Sequence, residues 1–106
     1  MVGDIYYINM PYSNFTKSKG RPVLVYQNIS KDDVLVLPLT SNLTREGFKI
    51  STKDIADGSL KKDSVIIVPK LTAVDSSLIK GSKFIASLKQ KSFLGLKKKL
   101  CEALGC

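Results

Sequence analysis

Residues 22–39 read PVLVYQNISKDDVLVLPL, which is two apolar runs separated by a polar turn. The runs Pro22–Tyr26 and Val34–Leu39 are short and apolar at every position, as in strands that are buried on both faces. Residues 28–33 supply the turn-forming side chains between them. The stretch therefore predicts two consecutive buried strands, the first begun and the second closed by a proline.

Other apolar segments on both sides of this stretch have the length and residue types of strands. Four more strands are predicted, at Asp4–Asn9, Phe48–Ile50, Val65–Val68 and Phe84–Leu88. The polar residues 12–20 show no periodicity and predict a long loop. Asp57 and Gly58 together predict a tight turn.

Two helical segments are predicted in the second half of the chain. Asp75 precedes two serines and a short apolar stretch that ends at Gly81, which is the pattern of an aspartate-capped helical turn. From Ser92 onward the apolar residues follow helical spacing, and these are Phe93, Leu96, Leu100, Ala103 and Leu104. One C-terminal helix on roughly five to seven short strands predicts a mainly β fold class, a small and strongly bent antiparallel barrel.

The chain length bounds the domain organisation. Splitting 106 residues would leave two pieces too small to bury a core, so residues 1–106 are predicted to form one domain. The sequence begins without the basic and apolar segments of a signal peptide, and no stretch approaches the ~20 apolar residues that cross a bilayer. We therefore expect a soluble, cytoplasmic protein with no membrane partner.

The net charge of +8 indicates a polyanionic partner. Residues 51–106 carry eleven basic residues against five acidic ones, so most of the excess lies in the second half of the chain. A lysine-rich solvated surface explains the same charge equally simply, and composition leaves both interpretations open.

The residue types that are missing restrict the chemistry. The chain has no histidine, which excludes zinc chemistry, histidine-based triads and the paired-histidine ribonuclease mechanism. We therefore predict no metal site and no cofactor. A disulfide between Cys101 and Cys106 would close only a very small loop, so we expect two reduced thiols.

Two predicted strand ends carry residues suited to phosphate chemistry. Arg21 is one of two arginines and lies where the long loop enters a buried strand, and its guanidinium has the planar fork that matches a phosphate. An ordinary surface charge is the simpler alternative. Thr40, Ser41 and Asn42 follow the next buried strand, where hydroxyl and amide groups either orient a reacting group or cap a turn.

The chain resembles the MazF/PemK toxin family in four blocks that occur in the family's order. These are Gly3-Asp4-Ile5, Gly20-Arg21-Pro22-Val23-Leu24-Val25, Leu37-Pro38-Leu39-Thr40-Ser41 and Asp63-Ser64-Val65-Ile66-Ile67. The helix after Ser92 lies where the family has its C-terminal helix. The chain departs from the family after the fourth block, where it reads Pro69-Lys70-Leu71-Thr72-Ala73 and many relatives carry an acidic residue, Gln, a hydrophobe, Arg and Thr.

This resemblance implies the SH3-like barrel of the plasmid-maintenance toxins, a homodimer, an acidic antitoxin partner, and sequence-selective cleavage of single-stranded RNA without metal. It matches Arg21 and Thr40 to the family's catalytic arginine and threonine. The 2′-hydroxyl of the RNA would be the nucleophile. The candidates for substrate binding are Lys17, Lys19, Ser41, Asn42, Arg45 and Lys70.

Two alternatives remain open from the sequence. One is a binding module that holds single-stranded nucleic acid without cutting it, with aromatic residues as stacking platforms. The aromatic candidates are Tyr6, Tyr7, Tyr12, Phe15 and Tyr26. The other is a toxin of the same barrel fold that inhibits a protein target such as the topoisomerase DNA gyrase.

We predict a homodimer, because the resemblance implies one and because a chain of this length covers its short apolar strands only partly. Sedimentation equilibrium at micromolar concentration is expected to give about twice the chain mass of 11.6 kDa. A stable monomer that still cleaves RNA would contradict this prediction.

Overall fold

An antiparallel sheet makes up most of the fold, and the structure, a computed structural model, describes residues 1–10 and 19–106. Its eight strands within those ranges are β1 (Asp4–Met10), β2 (Lys19–Asn28), β3 (Asp33–Thr40), β4 (Phe48–Ile50), β5 (Ile55–Gly58), β6 (Ser64–Ile66), β7 (Thr72–Asp75) and β8 (Lys83–Leu88). The helices are α1 (Ser76–Lys80) and α2 (Gln90–Leu104), with short 3₁₀ helices at Thr52–Asp54 and Val68–Lys70. The predicted mainly β fold with a C-terminal helix is confirmed.

β2 and β3 lie at the centre of the sheet, whose order is β4-β6-β3-β2-β1-β8-β5. β3 also pairs with β7 through Val36 and Thr72, on the edge where its last residues pair with β6. The backbone N–H of Ile67 donates to the carbonyl of Pro38 at 2.8 Å, just after β6 ends. Two strands thus share one edge of β3, and the sheet curls into a half-barrel.

The side chains of β2 and β3 alternate between two separate cores. Leu24, Leu37 and Leu39 join the core that contains Leu96 and Leu100 of α2, and we call this side of the sheet the α2 face. The valines at the intervening positions join a second core with Ile79 of α1, on what we call the α1 face, and these are Val23, Val25, Val34 and Val36. Both faces are buried, which is why the two runs are apolar at every position.

The N-terminal strand is held by the carboxylate of Asp4. It accepts a hydrogen bond from the Ser87 hydroxyl at 2.7 Å and forms an ion pair with the Met1 amino group at 3.3 Å. The hydroxyl of Tyr6 donates to the same carboxylate at 3.4 Å. Asp4 therefore ties β1 to β8.

The two helices begin and end largely as predicted. Asp75 Oδ1 accepts a hydrogen bond from the Ser77 N–H at 2.9 Å, which confirms the cap and lowers the pKa of Asp75 below its ordinary value. Gly105, at φ 79°, ends α2 in the left-handed conformation. The apolar spacing continues to Ala103 and Leu104 at the end of α2, but both side chains are exposed, Leu104 to 64%.

The first strand of the central pair is longer than predicted, and both prolines lie inside strands. β2 begins at Lys19, so Lys19 and Gly20 belong to the sheet; residues 12–18 of the predicted loop lie outside the described residues. Pro22 is tolerated because β3 pairs with β2 only from Val23 onward, which leaves one edge of β2 unpaired at Pro22. Pro38 lies within β3, whose last residue is Thr40.

Three further segments differ from the sequence predictions. The strand predicted at Val65–Val68 ends at Ile66, because Pro69 favours the 3₁₀ helix that follows. Gly58, at φ 77°, belongs to β5, where the pairing with β8 shifts register between Ile55 and Asp57. β7 escaped prediction because it has four residues and two of its side chains are polar.

The expectation of two reduced thiols is wrong for this structure, in which Cys101 and Cys106 form a disulfide. The turn at Gly105 brings the chain back along α2, and the Cys106 N–H donates to the Cys101 carbonyl at 2.9 Å. The two α-carbons are therefore 5.1 Å apart, within the ordinary range for a disulfide. The sequence separation alone did not show this local turn.

The substitution Leu96→Ala is expected to lower the free energy of unfolding by about 2–5 kcal/mol, because Leu96 is fully buried between α2 and the sheet and its truncation leaves a cavity. Leu94→Ala is the matched control on the same helix, since Leu94 is 55% exposed. Its effect should stay within about 0.5 kcal/mol. Urea denaturation followed by circular dichroism measures both values, and equal destabilisation by the two variants would contradict the buried face of α2.

Candidate active site

Arg21 and Thr40 each lie two residues beyond the last pair that joins β2 and β3. The register between β2 and β3 pairs Val23 with Pro38, and the same register continued by two residues places Arg21 opposite Thr40. Because side chains two residues apart in a strand share a face, both residues lie on the α1 face, with Val23 and Pro38. Both are half-buried.

This alignment extends across five strands of the sheet. Ile8 of β1 lies opposite Arg21, Val65 of β6 lies opposite Thr40, and Lys49 of β4 lies opposite Val65. We call Ile8, Arg21, Thr40, Val65 and Lys49 the transverse row. α1 follows β7 at the Asp33 end of β3, whereas the row crosses the Thr40 end, seven residues or about 23 Å away along the strand.

The loop after β3 is fixed by its own polar side chains. Thr40 Oγ1 accepts a hydrogen bond from the Asn42 N–H at 3.2 Å. Asn42 Oδ1 accepts from the Thr44 N–H at 3.1 Å and from the Thr44 hydroxyl at 2.6 Å, and the Arg45 N–H donates to the Asn42 carbonyl at 3.1 Å. Asn42 therefore shapes this loop and holds its chain next to Thr40. Ser41 and Arg45 are exposed on it.

The remaining predicted substrate-binding residues are distributed differently. Lys19 begins β2 and pairs with Met10, two residues before Arg21, while Lys17 lies outside the described residues. Lys70 is exposed at the end of the second 3₁₀ helix, between β6 and β7. It lies between Ile66, which pairs with Leu39, and Thr72, which pairs with Val36, so Lys70 is not level with Thr40 and does not belong to the transverse row.

Lys49 is the charged residue of the row that the sequence did not indicate as a candidate site residue. The alternation of Phe48, Lys49 and Ile50 predicts that Lys49 is exposed, and it is. The alternation does not show which residues lie near Lys49, because β6 lies between β4 and the strand that carries Thr40. The strand register is the one signal that connects Lys49 to Thr40.

The ionisable groups near the α1 face include one perturbed phenol. Burial, followed by the charge and hydrogen bond of Asp4, raises the pKa of Tyr6 above its ordinary value. Tyr6 packs its ring edge-on against Phe84, with ring centres 5.8 Å apart. Within residues 1–10 and 19–106, no three acidic or cysteine side chains are grouped to hold a metal ion, and neither helix there has the length and apolarity to cross a membrane.

The protein is a small, basic antiparallel half-barrel, and an arginine and a threonine lie on one of its faces. These features are typical of a protein that binds a polyanionic ligand. The sequence model of the PemK-like, MazF-like toxins of type II toxin–antitoxin systems matches residues 1–104. No curated protein sequence matches at a significant level. The chain therefore belongs to the MazF/PemK toxin family of toxin–antitoxin systems.

Solved structures agree with this fold. The crystal structure of MazF (Form-I) from Deinococcus radiodurans superposes with a TM-score of 0.71 at 18% identity, covering 99% of this chain and 96% of that one. The Mycobacterium tuberculosis toxin MazF-mt6 gives a TM-score of 0.71 at 16% identity, covering 96% of each chain. A MazE–MazF (Form-II) structure from D. radiodurans gives a TM-score of 0.71 at 19% identity, covering 98% of this chain and 94% of that one.

Proposed function

We propose that this chain is a metal-independent endoribonuclease that cuts single-stranded messenger RNA at selected sequences. The observation that carries the proposal is the alignment of Arg21 with Thr40 across β2 and β3, on one face of a basic barrel. The family match supports the same activity. An aligned guanidinium and hydroxyl provide what phosphoryl chemistry requires most, namely charge stabilisation and positioning.

The RNA supplies its own nucleophile in this mechanism. Its 2′-hydroxyl attacks the adjacent phosphorus, the bond from phosphorus to the 5′-oxygen breaks, and the products are a 2′,3′-cyclic phosphate and a 5′-hydroxyl. Arg21 stabilises the charge that develops on the phosphoryl oxygens, because its guanidinium is a strong hydrogen-bond donor and a poor proton donor. Thr40 positions the scissile phosphate or the 2′-hydroxyl for in-line attack.

The proposed partners are a second copy of this chain and an acidic antitoxin. A net charge of +8 favours a polyanionic partner, and a disordered acidic segment that folds on binding can wrap over a large basic surface. The MazE–MazF structures from D. radiodurans support this arrangement, since the matched chain in each of them shares the fold of this chain. We infer that the antitoxin segment occludes Arg21.

Raising the salt concentration is expected to weaken the complex with an acidic antitoxin peptide mainly through slower association, because screening reduces the long-range attraction. Surface plasmon resonance between about 50 and 500 mM salt measures the association rate separately. An association rate independent of salt would point to an apolar interface instead.

Arg21→Lys is expected to slow RNA cleavage by roughly 10²-fold or more with little loss of RNA affinity, because lysine retains the charge and loses the fork. Thr40→Ala should also slow cleavage by misplacing the reacting groups. The assay incubates the purified protein with a long unstructured RNA in EDTA and resolves the fragments and their ends. Neither substitution removes core volume, so circular dichroism should show both variants folded.

Lys98→Gln is the control, because Lys98 is exposed on α2, across the sheet from the transverse row. It should cleave at the wild-type rate. Wild-type cleavage by folded Arg21→Lys would overturn the catalytic assignment. If the wild-type protein retains RNA without cutting it, the chain is a binding module, and if it does neither, a protein target such as a topoisomerase becomes the better hypothesis.

A further inference from the structure

The transverse row continues past the two proposed catalytic residues to a lysine. Lys49 lies two strands from Thr40 on the same face, about 9.5 Å away between α-carbons at the usual strand spacing. Val65, the residue of the row between them, is apolar and fully buried. The Lys49 side chain is exposed, so its ammonium can meet a phosphate of a ligand that extends along the row from Thr40.

A pocket of about 280 Å³ opens beside Lys49. The exposed side chain of Leu43 provides an apolar wall, and Lys53 contributes a second ammonium group. Leu43 belongs to the loop that begins at Thr40, so this loop connects the pocket to the candidate active site. Its volume is sufficient for one nucleobase with room to spare.

The charged side chains of this pocket are two lysines and two aspartates. Of the two carboxylates on its wall, Asp54 is already engaged, since its oxygens accept hydrogen bonds from the Ser51 N–H at 2.9 Å and from the Ser92 hydroxyl at 2.8 Å. Asp63 is the other carboxylate, so the two lysines and the two carboxylates of the lining balance in charge. The pocket thus offers lysine ammonium groups beside an apolar wall, and these two features suit the phosphate and the base of a nucleotide.

We propose that Lys49 binds the backbone phosphate of the nucleotide next to the scissile bond, and that the pocket takes the base of that nucleotide. This inference rests on the proposed RNA-cleaving function and assigns a substrate subsite to it. A lysine acts on a phosphate as a point charge rather than as a fork. Lys49 therefore contributes affinity for the RNA, and the chemical step depends on Arg21 and Thr40.

The test measures binding of a fluorescent single-stranded RNA by anisotropy at several salt concentrations. The RNA carries a 2′-deoxy nucleotide at the mapped cleavage position, so it stays intact. Lys49→Gln is expected to weaken binding and to reduce the slope of log K against log salt by about 0.7, the value for one lost phosphate contact in a single strand. Lys49→Arg should restore the slope. With cleavable RNA, Lys49→Gln should raise KM more than it lowers kcat.

Lys98→Gln is the matched control, with the same change of charge on the opposite side of the sheet, and should keep the wild-type slope. A shortened RNA that lacks the nucleotide proposed to occupy the pocket should bind equally to the wild type and to Lys49→Gln. An unchanged slope for Lys49→Gln, or an equal loss in Lys98→Gln, overturns this inference while RNA cleavage by the wild type stands. Failure of the wild type to bind or cut RNA overturns the proposed function itself.

Discussion

The pairing of β3 with strands on both of its edges is the constraint on which the rest of this structure depends. One edge pairs with β2 through Val23 and Pro38, and the other pairs with β6 through Thr40 and Val65. Because the side chains of a strand alternate, a slip of β3 by one residue against its neighbours would turn each of its side chains to the opposite face of the sheet. Arg21 and Thr40 would then lose their common face, and the leucines that pack under α2 would point away from it.

The two faces of the central strands serve different purposes. On the α2 face, Leu24 and Leu37 pack in the core that Leu96 and Leu100 complete. On the α1 face the valine core occupies the Asp33 end of β3, and the polar residues of the transverse row occupy the Thr40 end. The fold therefore keeps half-buried polar side chains on a rigid sheet, with the large apolar core on the other face. A sheet holds such side chains more firmly than a loop does.

Short polar segments complete the site where the strands end. Asn42 accepts two hydrogen bonds from Thr44, and its own N–H donates to Thr40, so the loop after β3 has a fixed course. The interpretation of Asn42 as a turn former is confirmed, and its role in substrate binding stays a prediction. The same loop carries Leu43 to the pocket beside Lys49. One strand end thus organises both the proposed catalytic residue and the proposed subsite.

The sequence by itself determined the fold class, the central strands, the Asp75 cap and the C-terminal helix, because each follows from local patterns of apolar and turn-forming residues. It also identified Arg21 and Thr40, through a resemblance whose family the sequence model confirms. Contacts between residues far apart in the chain were decided only by the tertiary structure. The alignment of Arg21, Thr40 and Lys49 depends on the register of four strands, and no local pattern encodes a register between segments separated by loops.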